Sequence, residues 1–253
     1  MKNILDLDSI TTWHQELSAF VYAIDVWSQV EAIRKNNGED AFLAALTYAE
    51  DRLKDDLARH LRMKAEEILS TRHDSVIAYH GCRPRDISSY YKLGILCSNK
   101  EALIQEAKEI FKDSCDVDKA ARDLGPEYFD HNSGKVYLYY SACTAMQSWE
   151  SHVEGSEAIR CIAQRLGRDA ELQYAATGNP TLIKCAIPIK WIREDEGASI
   201  IGYAGRVIEG LIRKRLWPEK DPTGFQGAYY LTRTIPSENF IDFINMSEYR
   251  NSS

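Results

Sequence analysis

The stretch YHGCRPRDISSYYKLGI, residues 79–95, passes from a strand into a short helix. Val76–His80 is an apolar run closed by Gly81 and reads as a strand. Ile87–Leu93 with Gly94 reads as a short helix and its cap. A strand-end histidine beside a glycine lets a ligand approach the backbone closely, while the imidazole donates or accepts a hydrogen bond. That sets His80 apart from the isolated histidines 14, 60, 73, 131 and 152.

The same mixture continues downstream. Lys100–Lys112 and Glu157–Leu166 read as helices, the second stopped by Gly167. Lys135–Ser141 alternates aromatic and aliphatic residues as a strand does, and Ala142–His152 reads as helical. Thr181–Ile189 reads as a strand whose Pro188 end belongs at a sheet edge. Ile200–Leu216 carries Ile201, Val207, Ile208, Leu211, Ile212 and Leu216 at helical spacing. Ala228–Thr234 and Asn239–Ile244 read as the last strands. Strands dispersed among helices without strict alternation predict an α+β fold rather than a doubly wound sheet.

Upstream, residues 1–74 read differently and form a separate helical segment, leaving 75–248 as the mixed domain. From Thr12, apolar Trp13, Leu17, Phe20, Val21, Ile24, Trp27 and Val30 keep helical spacing, and Thr12 with Gln15 has the form of a capping box. Asn36-Asn37-Gly38 stops that helix. A second begins near Glu39 and carries Phe42, Leu46, Leu53, Leu57, Leu61 and Ile68 on one face. The expectation is a helical hairpin whose stripe packs on the following domain, with docking of a partner chain as the alternative.

Composition bounds the function. The 253 residues suffice for a real core, and 44% hydrophobic with 27% charged content is ordinary for a soluble globular chain. A net charge of −7 argues against indiscriminate nucleic-acid binding, although a restricted basic groove survives within an acidic total. The cysteines at 82, 97, 115, 143, 161 and 185 form no C-x-x-C pair, which fits reduced thiols in a cytoplasmic protein and no metal site. No signal-peptide core and no long apolar run occur, so no membrane span is expected. Phosphate-loop, dinucleotide-fingerprint, zinc-protease and nucleophile-elbow signatures are absent.

Three blocks together carry a resemblance. YHGCRPRDISSYYKLGI at 79–95, KVYLYYSACTAMQSW at 135–149, and GFQGAYYLTRTIP at 224–236 followed by SENFIDFI occur in the order found in ADP-ribosyltransferases. The chain resembles that superfamily, and most closely its phage-defence and toxin–antitoxin members acting on nucleic acid. The resemblance implies a split mixed and antiparallel β-core, here preceded by the helical hairpin, and NAD as co-substrate.

Site roles follow from the same resemblance. His80 would hydrogen-bond the adenosine ribose of NAD, and Gly81 would let the cofactor close to the strand. Tyr137 and Trp149 would stack on nicotinamide, Tyr90 would cover the cofactor, and Ser141 would be the small hydroxyl at the strand end. Cys82 departs from the family by replacing a threonine. In the third block Gln226 is the first position of a Q-x-E turn, so a glutamate belongs at 228, where this chain has Ala228. The family's carboxylate stabilises the oxocarbenium-like centre formed when the N-glycosidic bond breaks, and a methyl group supplies no such charge. Ala228 marks either a binding-only relative or a glutamate deliberately replaced to silence a toxic enzyme. Retention of Gln226, His80 and the aromatic strand favours the second.

The acceptor is expected to be a base of RNA or DNA. Trp217 and Phe225 would stack on it, with Arg213, Lys214, Arg215 and Lys220 near phosphates. An antitoxin or chaperone is a possible protein partner. The other readings are an inactive partner subunit assembled through the hairpin, a protein ADP-ribosyltransferase, and an RNA 2′-phosphotransferase using Arg83 and Arg85 on a terminal phosphate.

Overall fold

The computed structural model describes residues 3–13, 15–22, 32, 56–112, 116–147, 155–216 and 227–246. Its strands are β1 Ile4–Leu5, β2 Ser75–Cys82, β3 Val136–Tyr139, β4 Thr181–Pro188, β5 Ala228–Leu231 and β6 Phe240–Asn245. Its helices begin with α1 Gln15–Tyr22, α2 Asp56–Arg72, α3 Ser88–Leu93 and α4 Lys100–Ile110. They continue with α5 Val117–Leu124, α6 Pro126–Asn132, α7 Ala142–Gln147 and α8 Glu157–Leu166. Then come α9 Arg168–Ala175, α10 Ile189–Glu194 and α11 Ile200–Leu216. The fold is α+β.

The chain divides into two compact units, both discontinuous. The first comprises Met1–Ile77, Pro188–Glu194 and Ala198–Phe225; the second comprises Ala78–Ile187, Asp195–Gly197 and Gln226–Ser253. Where the sequence reading divides the chain once, at 74/75, α10 and α11 group with the N-terminal helices. The apolar stripe of α11 explains this, because α11 packs on α2, and α1 packs on both. Tyr203, Ala204, Val207 and Leu211 of α11 are buried, as are Ala65, Ile68 and Leu69 of α2. Each fully buried Leu or Ile in such a cluster contributes roughly 1.5–3 kcal/mol. Tyr203 donates its buried hydroxyl to the carbonyl of Ile77 at 3.2 Å, satisfying a polar group that the core would otherwise penalise. The tip expected at Asn36-Asn37-Gly38 lies outside the described residues.

The capping box expected at Thr12 does not form. Helix α1 begins at Gln15, and the Thr12 hydroxyl accepts from the Asp6 amide at 2.9 Å and lies 2.7 Å from the Ser9 carbonyl. The preceding turn, Ile10–Thr12, is a 3-10 helix, so the threonine serves the turn that leads away from β1. That strand pairs parallel with the start of β2, Ile4 with Ser75 and Leu5 with Val76.

In the second unit the strand order is β5-β3-β2-β4-β6. The β2–β3, β3–β5 and β4–β6 pairs are antiparallel. Strand β4 lies inside the sheet, not at its edge as Pro188 suggested. The proline is tolerated because it is the last residue of the strand, past Cys185, where pairing to β6 ends. A second core forms among α4, α5, α6, α8 and α9, centred on Phe111, Phe129, Ile159, Ile162 and Tyr174. Helix α4 starts where Asn99 Oδ1 accepts from the Ala102 amide at 3.0 Å, and α8 starts at Ser156 and stops at Gly167 with φ 106°. Among the described residues, no helix is long and apolar enough to cross a membrane.

Candidate functional site

The second unit holds a cavity of about 1230 Å³. Its floor is built from the C-terminal half of β2 and from β3; its walls come from the 83–86 loop, α3, α4, α6, and the residues that start α8 and end α9. The volume exceeds what a drug-sized ligand needs and suits an extended one.

His80 sits where β2 reaches this cavity, and its Nδ1 lies 3.0 Å from the Tyr137 carbonyl. A carbonyl can only accept, so Nδ1 carries the proton and the ring is locked across the β2–β3 pair. Tyr137 in turn donates its hydroxyl to Asn132 Oδ1 at 3.0 Å and meets the Tyr230 ring edge-on at 5.9 Å. The Lys135 ammonium stands 4.5 Å from the centre of that Tyr230 ring. These contacts fix the aromatic wall on the β3–β5 side.

The three blocks of the sequence lie on adjacent strands, β2, β3 and β5. Tyr79 is paired with Tyr139, and Tyr139 with Ala228, so the three form one row across the sheet. Side chains in such a row emerge on one face. Ala228 is exposed and is not itself a lining residue, whereas its neighbour Tyr139 is.

His80, Gly81, Tyr90 and Tyr137 all line the cavity, as do Arg83 and Arg85. Ser141 does not. It is fully buried, accepting from the Thr144 amide at 3.1 Å and donating to Thr144 Oγ1 at 3.0 Å, and its carbonyl accepts from Ala145 at the start of α7. A serine in that position caps a helix. Trp149, Trp217, Lys220, Phe225 and Gln226 lie outside the described residues. Arg213, in the first unit, is held by Glu209 at 2.6 Å.

Several other lining groups are engaged within the chain. Tyr90 shares a hydrogen bond with Cys82, whose thiol burial pushes up to about 12. Tyr174 donates to the Ser156 carbonyl at 3.2 Å. Gly155, at φ 102°, lies where a Cβ would overlap the Tyr174 hydroxyl, so the wall closes only over glycine. Arg83 donates to the Ala175 carbonyl at 2.6 Å, and Arg85 pairs with Glu109 at 2.8 Å. Glu106 also lines the cavity, and burial holds its carboxyl above the ordinary carboxylate range. The sequence reading passed over it, yet a signal was there. Ala102, Glu106 and Ile110 are spaced by four residues on one helix face, and the carboxylate interrupts an otherwise apolar stripe.

Asp195 is a second residue the sequence reading missed. It is buried, and its carboxylate accepts from the Thr232 amide at 2.7 Å, the Thr232 hydroxyl at 3.0 Å and the Gly197 amide at 3.1 Å. Gly197 then accepts from the Tyr230 amide at 3.3 Å, and any Cβ there would strike the Tyr230 ring. The 195–197 segment thus clamps β5 in place.

Among the described residues, no group of three or more His, Cys, Asp or Glu is placed to hold a metal ion. Compared with protein-family models, curated proteins and solved structures, the chain matches none.

Proposed function

We propose that the second unit is an NAD-dependent mono-ADP-ribosyltransferase module directed at a base of RNA or DNA, with Ala228 at the position of the catalytic glutamate. The observation that carries the reading is the meeting of three blocks distant in sequence. Tyr79, Tyr139 and Ala228 stand in one row on β2, β3 and β5, and His80, the residue after Tyr79, lines the cavity that lies against the first two strands.

The residues present suit a dinucleotide. The cavity volume is sufficient, Gly81 leaves the strand bare, His80 offers an oriented imidazole, and tyrosines supply flat walls. When bound, NAD would supply an N-glycosidic bond whose cleavage leaves cationic character on the ribose. A carboxylate at 228 would emerge on the same face as Tyr137 and Tyr139 and meet that charge. With Ala228 the chain binds without efficient turnover.

The test is Ala228→Glu incubated with labelled NAD and separate pools of RNA, DNA and protein. Label transferred to nucleic acid by the variant, at about 10²-fold or more above the Ala228 chain, is the expected result. Transfer to no pool would defeat the reading, and transfer to the protein pool alone would make the acceptor a side chain. Ala228 itself favours a second reading, a binding-only partner subunit; the mark of that reading is that residue 228 has no effect while removal of the N-terminal helices dissolves a complex. For a 2′-phosphotransferase the structure offers less, since Arg83 and Arg85 are both engaged within the chain.

A further inference from the structure

Asn132, the last residue of α6, is half-buried and lines the cavity beside Tyr137. Its Nδ2 donates to the Tyr128 carbonyl at 3.2 Å, one helical turn back. That carbonyl can only accept, so the amide is fixed in one orientation, and Oδ1 is left to accept from the Tyr137 hydroxyl at 3.0 Å. Tyr230 stands against the same tyrosine ring at 5.9 Å, inclined by 60°. The half-buried ring of Tyr137 is thus held at its tip and along one side, while its remaining surface belongs to the cavity wall.

We propose that Asn132 is a positioning residue that acts through Tyr137 on the nicotinamide end of a bound dinucleotide. The inference rests on the NAD reading above and adds the residue that orders its aromatic wall. Strand register says which end of the ligand is concerned. Tyr137 lies two residues before Tyr139, the partner of Ala228, and side chains two apart on a strand emerge on one face about 7 Å apart. In that reading the bond that breaks lies next to position 228, so nicotinamide lies beside Tyr137. Oxidised nicotinamide carries a positive charge, which the electron-rich face of a phenol ring attracts. Holding the ring before the ligand arrives removes the cost of ordering it on binding, which is worth about twofold to tenfold in affinity.

Calorimetric titration of the full chain compares NAD with ADP-ribose, which keeps everything but the nicotinamide. In Asn132→Ala, NAD affinity is expected to fall about fivefold while ADP-ribose affinity stays the same. Tyr137→Phe, which keeps the ring and drops only the hydroxyl, reproduces that ligand-specific loss. In the double variant the two losses do not add, because Asn132 has no hydroxyl left to hold. Equal losses for both ligands would make the Asn132–Tyr137 contact a structural one and overturn the proposal. Unchanged NAD affinity overturns it too, as does an Asn132→Ala loss that persists in full on the Tyr137→Phe chain. Where Asn132→Ala does not fold, Tyr137→Phe alone decides. Those outcomes leave the NAD reading standing; failure of the unaltered chain to bind NAD overturns that reading, and this inference with it.

Discussion

Ile95 and Ile235 exchange both of their backbone hydrogen bonds, Ile95 N–H to Ile235 O at 2.8 Å and Ile235 N–H to Ile95 O at 3.0 Å. This bridge ties the exit of α3 to the exit of β5, so the helix that covers the cavity is anchored to the strand that carries Ala228. Gly94 makes the approach possible. It adopts φ 77°, and a Cβ there would overlap the Ile235 carbonyl oxygen.

Gly94→Ala is therefore expected to destabilise the protein by about 1–3 kcal/mol from the backbone conformation alone, with the overlap adding to it. Urea unfolding followed by circular dichroism measures this. A midpoint within error of the parent chain would show that the α3–β5 bridge yields at little cost.

Asp195→Ala removes the acceptor for the Thr232 amide and hydroxyl. Thr232 is itself exposed, so water takes over part of what is lost, and each missing bond costs about 0.5–1.5 kcal/mol. The loss is local, so hydrogen exchange in a peptide spanning Tyr229–Thr234 accelerates more than exchange in α8. Uniform acceleration would mean that Asp195 supports the whole unit rather than clamping β5.

His80→Ala removes the ring that Tyr137 orients toward the cavity. NAD affinity is expected to fall about tenfold, with the unfolding midpoint little changed. Calorimetry decides it, and unaltered affinity would remove His80 from the site.

Cys82 is buried and its thiol is pushed up to about 12 by loss of solvent. In the unfolded chain the thiol ionises near its ordinary value, so above about pH 9 the native state binds more protons than the unfolded state. The stabilisation is whole below that pH and is lost as pH rises toward 12. In Cys82→Ala the fall of unfolding free energy with pH over this window becomes shallower, by up to about 1.4 kcal/mol per pH unit. Identical slopes for parent and variant would contradict a buried thiol at this position.

Local signals carried much of the fold. Helix α8 runs from Glu157 to Leu166 as its pattern and Gly167 predict, and α11 spans Ile200–Leu216 as its apolar spacing predicts. In both, the information lies within a few turns of chain: a cap, a periodic stripe, a terminator. Strands β2 and β3 were equally legible from alternation and apolar runs. Helices α5, α6, α9 and α10 were not, because they span only two turns or so and their inward faces consist of a few small or scattered apolar residues.

What the sequence by itself determined is the α+β mixture, the strand-end placing of His80 beside Gly81, and the loss of charge at Ala228. Only the tertiary structure decided that Tyr139 stands between Tyr79 and Ala228, that Ser141 caps a helix, that Asp195 holds β5, and that Glu106 faces a cavity. Those facts depend on register and on packing between segments far apart in the chain. A side chain's neighbours across a sheet or a cavity leave no periodic trace in its own stretch of sequence.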